Sequence, residues 1–390
     1  MINLTRLYCG VAQNADALRY GQGHGAPRTA AERKPIVVWN ITRRCNLKCI
    51  HCYSDSDARE YPGELTWDQC TGVVQDLANY GVPAVLLSGG EPLVHPRFFD
   101  LAKLARESGL RLTLSTNGTL IDPTAAEKIK ALGFSYVGIS LDGIGATHDH
   151  FRGRVGAFDK AVRAFRNCKA VEQKVGLRLT LSRHNLDDLD GILDFIEREN
   201  IDRVCFYHLV YSGRGRGLVD VTHEDSRKAL DKILDRTARW AAEGTPREVL
   251  TVDQPADGPY LYMRLLRENP ERAEQVMDLL KWNGGGANSS GTGIGNIDTQ
   301  GNVHPDQFWQ SLTLGNVKER PFSEIWRDPA NNLLANLRNR NEHLRGRCSD
   351  CRFLGVCGGG FRVRAVQVYN DLWASDPACY LKDAEIAKVA

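Results

Sequence analysis

Between residues 35 and 217, short runs of aliphatic and β-branched residues alternate with longer stretches whose apolar positions recur every three to four residues. The short runs, at 36–39, 84–87, 110–114, 136–139, 177–181 and 204–207, read as strands. Several are apolar nearly throughout, as strands covered on both faces are. Strands alternating with amphipathic helices predict six βα units on a parallel sheet. The first helix shows how its ends are encoded: Thr66 and Gln69 form a capping box, Cys70, Val73, Val74, Leu77 and Ala78 make one stripe, and Gly81 supplies the stop. That stripe must face the sheet. Residues 218–282 are charged and helix-prone, and the composition then shifts abruptly to Gly, Asn and Ser across 283–291. A domain boundary belongs there. Beyond it, Ile297, the turn Asp298-Thr299-Gln300-Gly301 and Asn302-Val303-His304 read as a hairpin, followed by a cysteine-dense, Gly-rich tail. The expected organisation is an N-terminal extension (1–34), a βα core (35–217), a helical connecting region (218–282) and a second domain (283–390).

Composition narrows the class of function. The 390 residues are 42% hydrophobic and 25% charged, an ordinary globular mixture that excludes a disordered or fibrous chain. Fifty Lys and Arg against 48 Asp and Glu leave +2, no surplus to neutralise a run of phosphates, so nucleic acid is not an expected partner. No apolar run approaches the ~18 residues of a membrane span, and the first residues lack the form of a signal peptide. A cytoplasmic protein without membrane contact is expected. In a reducing compartment eleven cysteines, an odd number, are not a disulfide framework. Metal binding becomes the leading question.

Cys45, Cys49 and Cys52 stand as C-x3-C-x2-C directly after the first strand. Three thiolates from one loop can hold three irons of a [4Fe-4S] cube and leave the fourth open to a ligand. A zinc loop with a distant fourth ligand satisfies the same spacing. Position adds more: the next strand ends in Ser88-Gly89-Gly90-Glu91-Pro92, and both strand ends open on one mouth, where ligands of α/β folds bind. The cysteine trio together with this Gly-Gly-Glu-Pro strand end resembles the radical S-adenosylmethionine (SAM) superfamily. The resemblance implies a partial (βα)6 barrel in which the unique iron chelates the amino and carboxylate groups of SAM, whose sulfur–C5′ bond is then cleaved. It further implies that Gly90 and Glu91 hold the methionine amino group, that Ser140 in Ser140-Leu141-Asp142-Gly143 contacts the ribose, that Arg152 pairs the carboxylate, that Leu209 touches adenine, and that Asn117 lies at the same rim. Turn chemistry at strand ends explains Ser140, Asp142 and Asn117 as well.

A second set, Cys348, Cys351 and Cys357 as C-x2-C-x5-C with Cys379 22 residues later, suffices for a closed [4Fe-4S] site. A structural zinc ribbon could use the same four ligands; an iron-binding first set favours iron here too. The tail resembles the SPASM extension of radical SAM enzymes, in which these cysteines hold an auxiliary cluster. Where a second auxiliary cluster would find its cysteines, this chain has Asn288, Pro305-Asp306 and Gly358-Gly359-Gly360-Phe361. One auxiliary cluster is therefore expected, two clusters in all. Cys70, Cys168 and Cys205 lie on apolar stripes or inside a strand and read as buried thiols; Cys9 is unassigned.

The stretch from Gly293 to Trp309 resembles the tetrapyrrole-modifying branch of that superfamily, the NirJ proteins of haem d1 biosynthesis. The substrate so implied is 12,18-didecarboxysiroheme, from which two propionate side chains are removed with oxo groups left in their place. An external low-potential electron donor is a further implied partner. A 5′-deoxyadenosyl radical can take hydrogen from an unactivated carbon, a step beyond any side-chain base. A closed cluster nearby could accept the electron released as the carbon–carbon bond breaks. Substrate carboxylates need cations, and His208, Arg214 and Arg216 stand after the sixth strand; a solvated turn accounts for them equally. His304, Asp306 and Trp309 border the substrate or simply pack the hairpin. Alternatives are a related haem-biosynthesis decarboxylase, a peptide-modifying SPASM maturase, for whose leader-binding domain 34 residues are too few, and a zinc-stabilised scaffold protein.

Overall fold

In the computed structural model, residues 1–12, 16, 34–283 and 290–388 are described. They form eleven strands: β1 (Ile2–Asn3), β2 (Ile36–Thr42), β3 (Val85–Gly89), β4 (Leu112–Thr116), β5 (Tyr136–Ser140), β6 (Val175–Leu181), β7 (Arg203–His208), β8 (Glu248–Val252), β9 (Ile294–Ile297), β10 (Asn302–His304) and β11 (Gly315–Asn316). All belong to one sheet, in the order β1-β8-β7-β6-β5-β4-β3-β2-β9-β10-β11. From β2 to β8 every neighbour is parallel, and helices intervene between consecutive strands, as parallel crossovers require. All six expected strands are present, in the expected α/β fold.

The first long helix, Trp67–Tyr80, forms for the reasons its sequence gives. Thr66 Oγ1 accepts from Gln69 N at 3.3 Å, Gln69 Oε1 accepts from Thr66 N at 2.9 Å, and Gly81 ends the helix at φ 74°. Cys70, Val73, Val74 and Leu77 are buried in the main apolar core. Ala78 is only partly buried at the edge of the stripe. Cys168 and Cys205 are buried thiols, as expected.

Two features depart from the sequence reading. The connecting region, read as helical, contains β8, a seventh parallel strand paired to β7 from Arg203↔Glu248 to Tyr207↔Val252. Its five residues are all buried, and its one charge, Glu248, is paired with Arg203 at 3.6 Å. Between two charged helices, so short a strand leaves no periodicity to read. β1 then closes that edge by pairing antiparallel to β8, so the chain's first residues belong to the sheet. The second domain is likewise continuous with it. The expected hairpin is β9–β10, with Asp298 Oδ1 accepting from Gln300 N and Asn302 N in the turn, and β9 lies parallel against β2. Most of the Gly-rich boundary, including Asn288, and most of the N-terminal extension lie outside the described residues. Among the described residues no helix is long and apolar enough to cross a membrane.

Candidate active site

At the carboxyl end of β2 the chain turns into the first cysteine loop, and the glycines of β3 let the two segments meet. Gly90 N donates to Thr42 O at 2.7 Å and Glu91 N to Arg44 O at 3.0 Å. A Cβ on Gly90 would lie 2.3 Å from Arg44 O and 2.6 Å from Arg43 O, so no other residue fits without moving backbone. Cys45 and Cys49 are buried and Cys52 is partly exposed. Donors are aimed at the three sulfurs. Leu47 N reaches Cys45 Sγ at 3.4 Å, the Asn117 side-chain amide lies 3.9 Å from the same sulfur, Arg152 Nη1 reaches Cys49 Sγ at 3.5 Å, and Ser56 N reaches Cys52 Sγ at 3.4 Å. Burial pushes the Cys45 thiol up to about 12, and it raises Cys49 against the pull of Arg152. Burial thus favours the neutral form of both thiols. N–H···S donors around a buried set are the environment that stabilises thiolates on iron. Among the described residues no three His, Cys, Asp or Glu side chains converge closely enough to share a single ion. A cube asks for less, since each of its irons takes its own thiolate.

The residues expected at SAM fall into two groups. Ser140, Asn117, Gly90, Arg152 and Leu209 line one basin with the three cysteines. Ser140, at the end of β5, makes no side-chain hydrogen bond with a described residue. Asn117 is tied down, its amide donating to Asn46 Oδ1 at 2.9 Å while its Oδ1 accepts from Thr119 N at 2.9 Å. Arg152 is buried and gives Nη2 to Asp142, whose other oxygen accepts from Thr180 N at 2.7 Å. Much of that guanidinium is thus committed before any ligand arrives, although its Nε has no partner. Asp142 is a brace for Arg152 rather than a turn residue alone. Glu91 does not line the basin. Its fully buried carboxylate accepts from Thr116 Oγ1 and Asn117 N, both at 2.8 Å, and from Leu93 N at 3.2 Å. Burial raises it to about 6 against the pull of those donors. Its side chain fastens the end of β3 to the end of β4, leaving the Gly90 backbone to face a ligand.

Of the cations expected at a substrate, His208 lines the basin with Nε2 held 3.1 Å from Asp257 Oδ2. Arg214 also lines it, but its donors are spent on Cys49 O (2.7 Å), Asp55 Oδ1 (2.6 Å) and Ser56 O (2.8 Å). It straps the cysteine loop. Arg216 is exposed and absent from the basin wall, where the sequence reading had put it. His304, Asp306 and Trp309 pack the hairpin: Trp309 Nε1 donates to Ser290 Oγ and Asp306 Oδ2, each at 3.0 Å, and His304 Nδ1 lies 2.7 Å from Leu312 O. The sequence reading missed His51, Tyr53, Arg178, Tyr207, Asp253, Gln307 and Phe308, all in the wall. For Arg178 there was a signal, a charge in the middle of an otherwise apolar strand.

The second cysteine set lies close together in the tail. The buried Cys357 thiol is raised by burial and then by Cys379, Cys348 and Cys351, which places all four in one neighbourhood. The helix Leu354–Cys357 ends on Gly358 at φ 60°, and Gly359 and Gly360 follow at φ 76°, which lets the chain turn back beside Asp376 and Cys379. Asp376 pairs with Arg364, and both are buried. Arg362 is fixed by the carbonyls of Leu372, Ala374 and Gly359. A four-thiolate cluster carries net negative charge, and this guanidinium, held by neutral acceptors, suits such a neighbour.

The radical SAM superfamily model matches residues 39–196, and the SPASM model, an iron-sulfur cluster-binding domain, matches 291–352. The chain is 51% identical, over 99% of both chains, to the Fe-coproporphyrin III synthase of Methanosarcina barkeri. It is 46% identical to the pre-heme d1 synthase of Dinoroseobacter shibae, over 90% of this chain and 87% of that one. Among solved structures it is similar in fold to Streptococcus suis SuiB bound to S-adenosylmethionine (TM-score 0.69, 17% identity, 90% and 78% of the chains) and to anSMEcpe with bound AdoMet (TM-score 0.69, 19% identity, 88% and 93%). Two [4Fe-4S] clusters and SAM are therefore the cofactors, and the chain belongs to the radical SAM superfamily, among its SPASM-bearing enzymes of haem and tetrapyrrole biosynthesis.

Proposed function

We propose that this enzyme removes side chains from an iron tetrapyrrole and that its product is iron-coproporphyrin III. The observation that carries this reading is the 51% identity, over the full length of both chains, to a synthase of that product. Cys45, Cys49 and Cys52 would hold the SAM-binding cluster, and Cys348, Cys351, Cys357 and Cys379 the auxiliary one. Bound there, the reduced cluster and SAM supply a primary carbon radical able to take hydrogen from an unactivated side-chain carbon. The chain's own residues position that chemistry. The Gly90 backbone, Asn117, Ser140, Arg152 and Leu209 would line SAM, Glu91 and Asp142 would brace them, and Phe308 with Gln307 from the second domain would cover the mouth and limit water. Electrons would come from an external low-potential donor. His208 is oriented by Asp257 and faces the substrate side of the basin.

A second reading rests on the 46% identity to a pre-heme d1 synthase: loss of two propionates from 12,18-didecarboxysiroheme with oxo groups left behind. One anaerobic incubation separates them. Reconstituted protein, SAM, dithionite and 12,18-didecarboxysiroheme are combined and the tetrapyrrole is analysed by mass and absorbance. Iron-coproporphyrin III supports the first reading and the dioxo product the second. An unchanged macrocycle with 5′-deoxyadenosine still released would count against both.

A further inference from the structure

Arg178 is held on two sides and offered to the basin. On β6 its neighbours Leu177 and Leu179 belong to the apolar core, while Arg178 and Thr180 line the basin, the alternation a strand imposes. The alkyl stem crosses Gly138 of β5: a Cβ there would lie 2.6 Å from Arg178 Cδ and 3.3 Å from Cγ. The guanidinium lies over the ring of Tyr207 on β7, 4.7 Å from its centroid. Arg178 makes no hydrogen bond and no ion pair with a side chain or carbonyl of the described residues. The other arginines of the wall are engaged, Arg152 with Asp142 and Arg214 with Asp55. Asp253, the residue after β8 and also in the wall, has one oxygen unpartnered and forms no bridge to Arg178. A guanidinium drawn out of water without an anion is costly. One held over an aromatic ring is already placed to fork a carboxylate.

We infer that Arg178 is the anchor for a carboxylate side chain of the tetrapyrrole; this rests on the tetrapyrrole reading above. SAM carries a carboxylate too, but the cysteines that would hold its cluster follow β2, and β6 stands four strands along the sheet. Arg152, touching Cys49, is on SAM's side.

The test compares wild type, R178Q, R178K and G138A, each reconstituted and matched for iron content, in Soret titrations with iron-coproporphyrin III and with its tetramethyl ester, alongside a SAM titration. Wild type binds the free acid at least tenfold tighter than the ester. R178Q loses that preference, R178K keeps part of it, and G138A, whose new methyl displaces the stem, follows R178Q. An undiminished preference in R178Q overturns the assignment. A weakened SAM affinity with the acid preference intact also overturns it, giving Arg178 to the carboxylate of SAM. If wild type shows no Soret shift with either compound, the tetrapyrrole reading itself fails and the anchor falls with it. A wild type that binds acid and ester equally defeats the anchor alone.

Discussion

Removing the Arg364 guanidinium should be among the most damaging single changes in the second domain. Arg364 and Asp376 have side-chain exposures of 0% and 1% and share two bonds of 2.9 Å, Nε to Oδ1 and Nη2 to Oδ2. Arg364 also donates to Leu209 O at 3.1 Å and Asp253 O at 2.7 Å, which binds the tail to the ends of β7 and β8. Arg364→Met keeps the stem and its packing but leaves Asp376 with backbone donors only, Phe361 N at 2.6 Å and Ala378 N at 3.0 Å. Breaking a buried pair from one side costs about 3–5 kcal/mol, a large part of the ~5–15 kcal/mol that holds a domain together. Urea unfolding followed by circular dichroism should therefore show a loss of about 3–5 kcal/mol. Arg364→Met/Asp376→Leu should recover most of it, because an apolar pair of similar volume leaves no buried charge behind. An Arg364→Met loss below about 1 kcal/mol, or a double variant whose loss is the sum of the two single ones, would refute the reasoning, since additivity means the two groups are not coupled.

Three further outcomes follow. Anaerobically reconstituted protein should contain about eight iron and eight sulfide; stoichiometric zinc without sulfide would contradict both cluster assignments. Cys357→Ala should bring iron to about four per chain, still release 5′-deoxyadenosine and fail to convert tetrapyrrole, and loss of SAM cleavage in a folded variant would contradict that division. His148 is buried, accepts from Asp142 N at 3.0 Å, and is pushed down to about 3 by burial and by the Arg152 charge. Its folded value lies below its unfolded one, so its contribution is intact above pH 6.5 and is lost as pH falls toward 3. Between pH 6.5 and 5 the loss is about 2 kcal/mol, and His148→Gln should flatten the urea midpoint over that range. An equally steep fall in the variant would point to another group.

What could be read in the sequence was whatever is encoded locally. The capping box at Thr66 and Gln69, the stop at Gly81 and the turn at Asp298 use contacts within four residues, so type and spacing sufficed. β8 was missed because its stability comes from burial between β7 and β1, which five residues do not announce. At the site, the grouping of the cysteines was legible from spacing, but the state of each cation was not. Arg214 follows a strand and Arg178 sits inside one, and only the fold shows that the first is spent on the cysteine loop while the second lies over Tyr207. Glu91 is the converse case. The sequence gives a carboxylate at a ligand-binding strand end, and three protein donors take it out of the basin.

The two cysteine sets are joined mechanically, and this bears on why the second domain is needed. β9 extends the sheet from β2, so the hairpin cannot move without disturbing the strand that ends in the cysteine trio. On the opposite side of the mouth, Arg364 holds Leu209 O, so the tail fixes the chain after β7 where it lines the basin. Phe308 bridges the two, packing against Tyr53 next to Cys52 and against Phe361 next to the auxiliary loop, with ring centroids 5.4 and 5.6 Å apart. Filling or emptying the auxiliary site should therefore alter SAM affinity even where no electron moves between clusters. A Phe308→Ala variant, which cuts the aromatic bridge while leaving all seven cysteines, should weaken the dependence of SAM affinity on auxiliary iron. If SAM binds equally well with four and with eight iron in wild type, no such coupling exists, and the second domain serves the substrate alone.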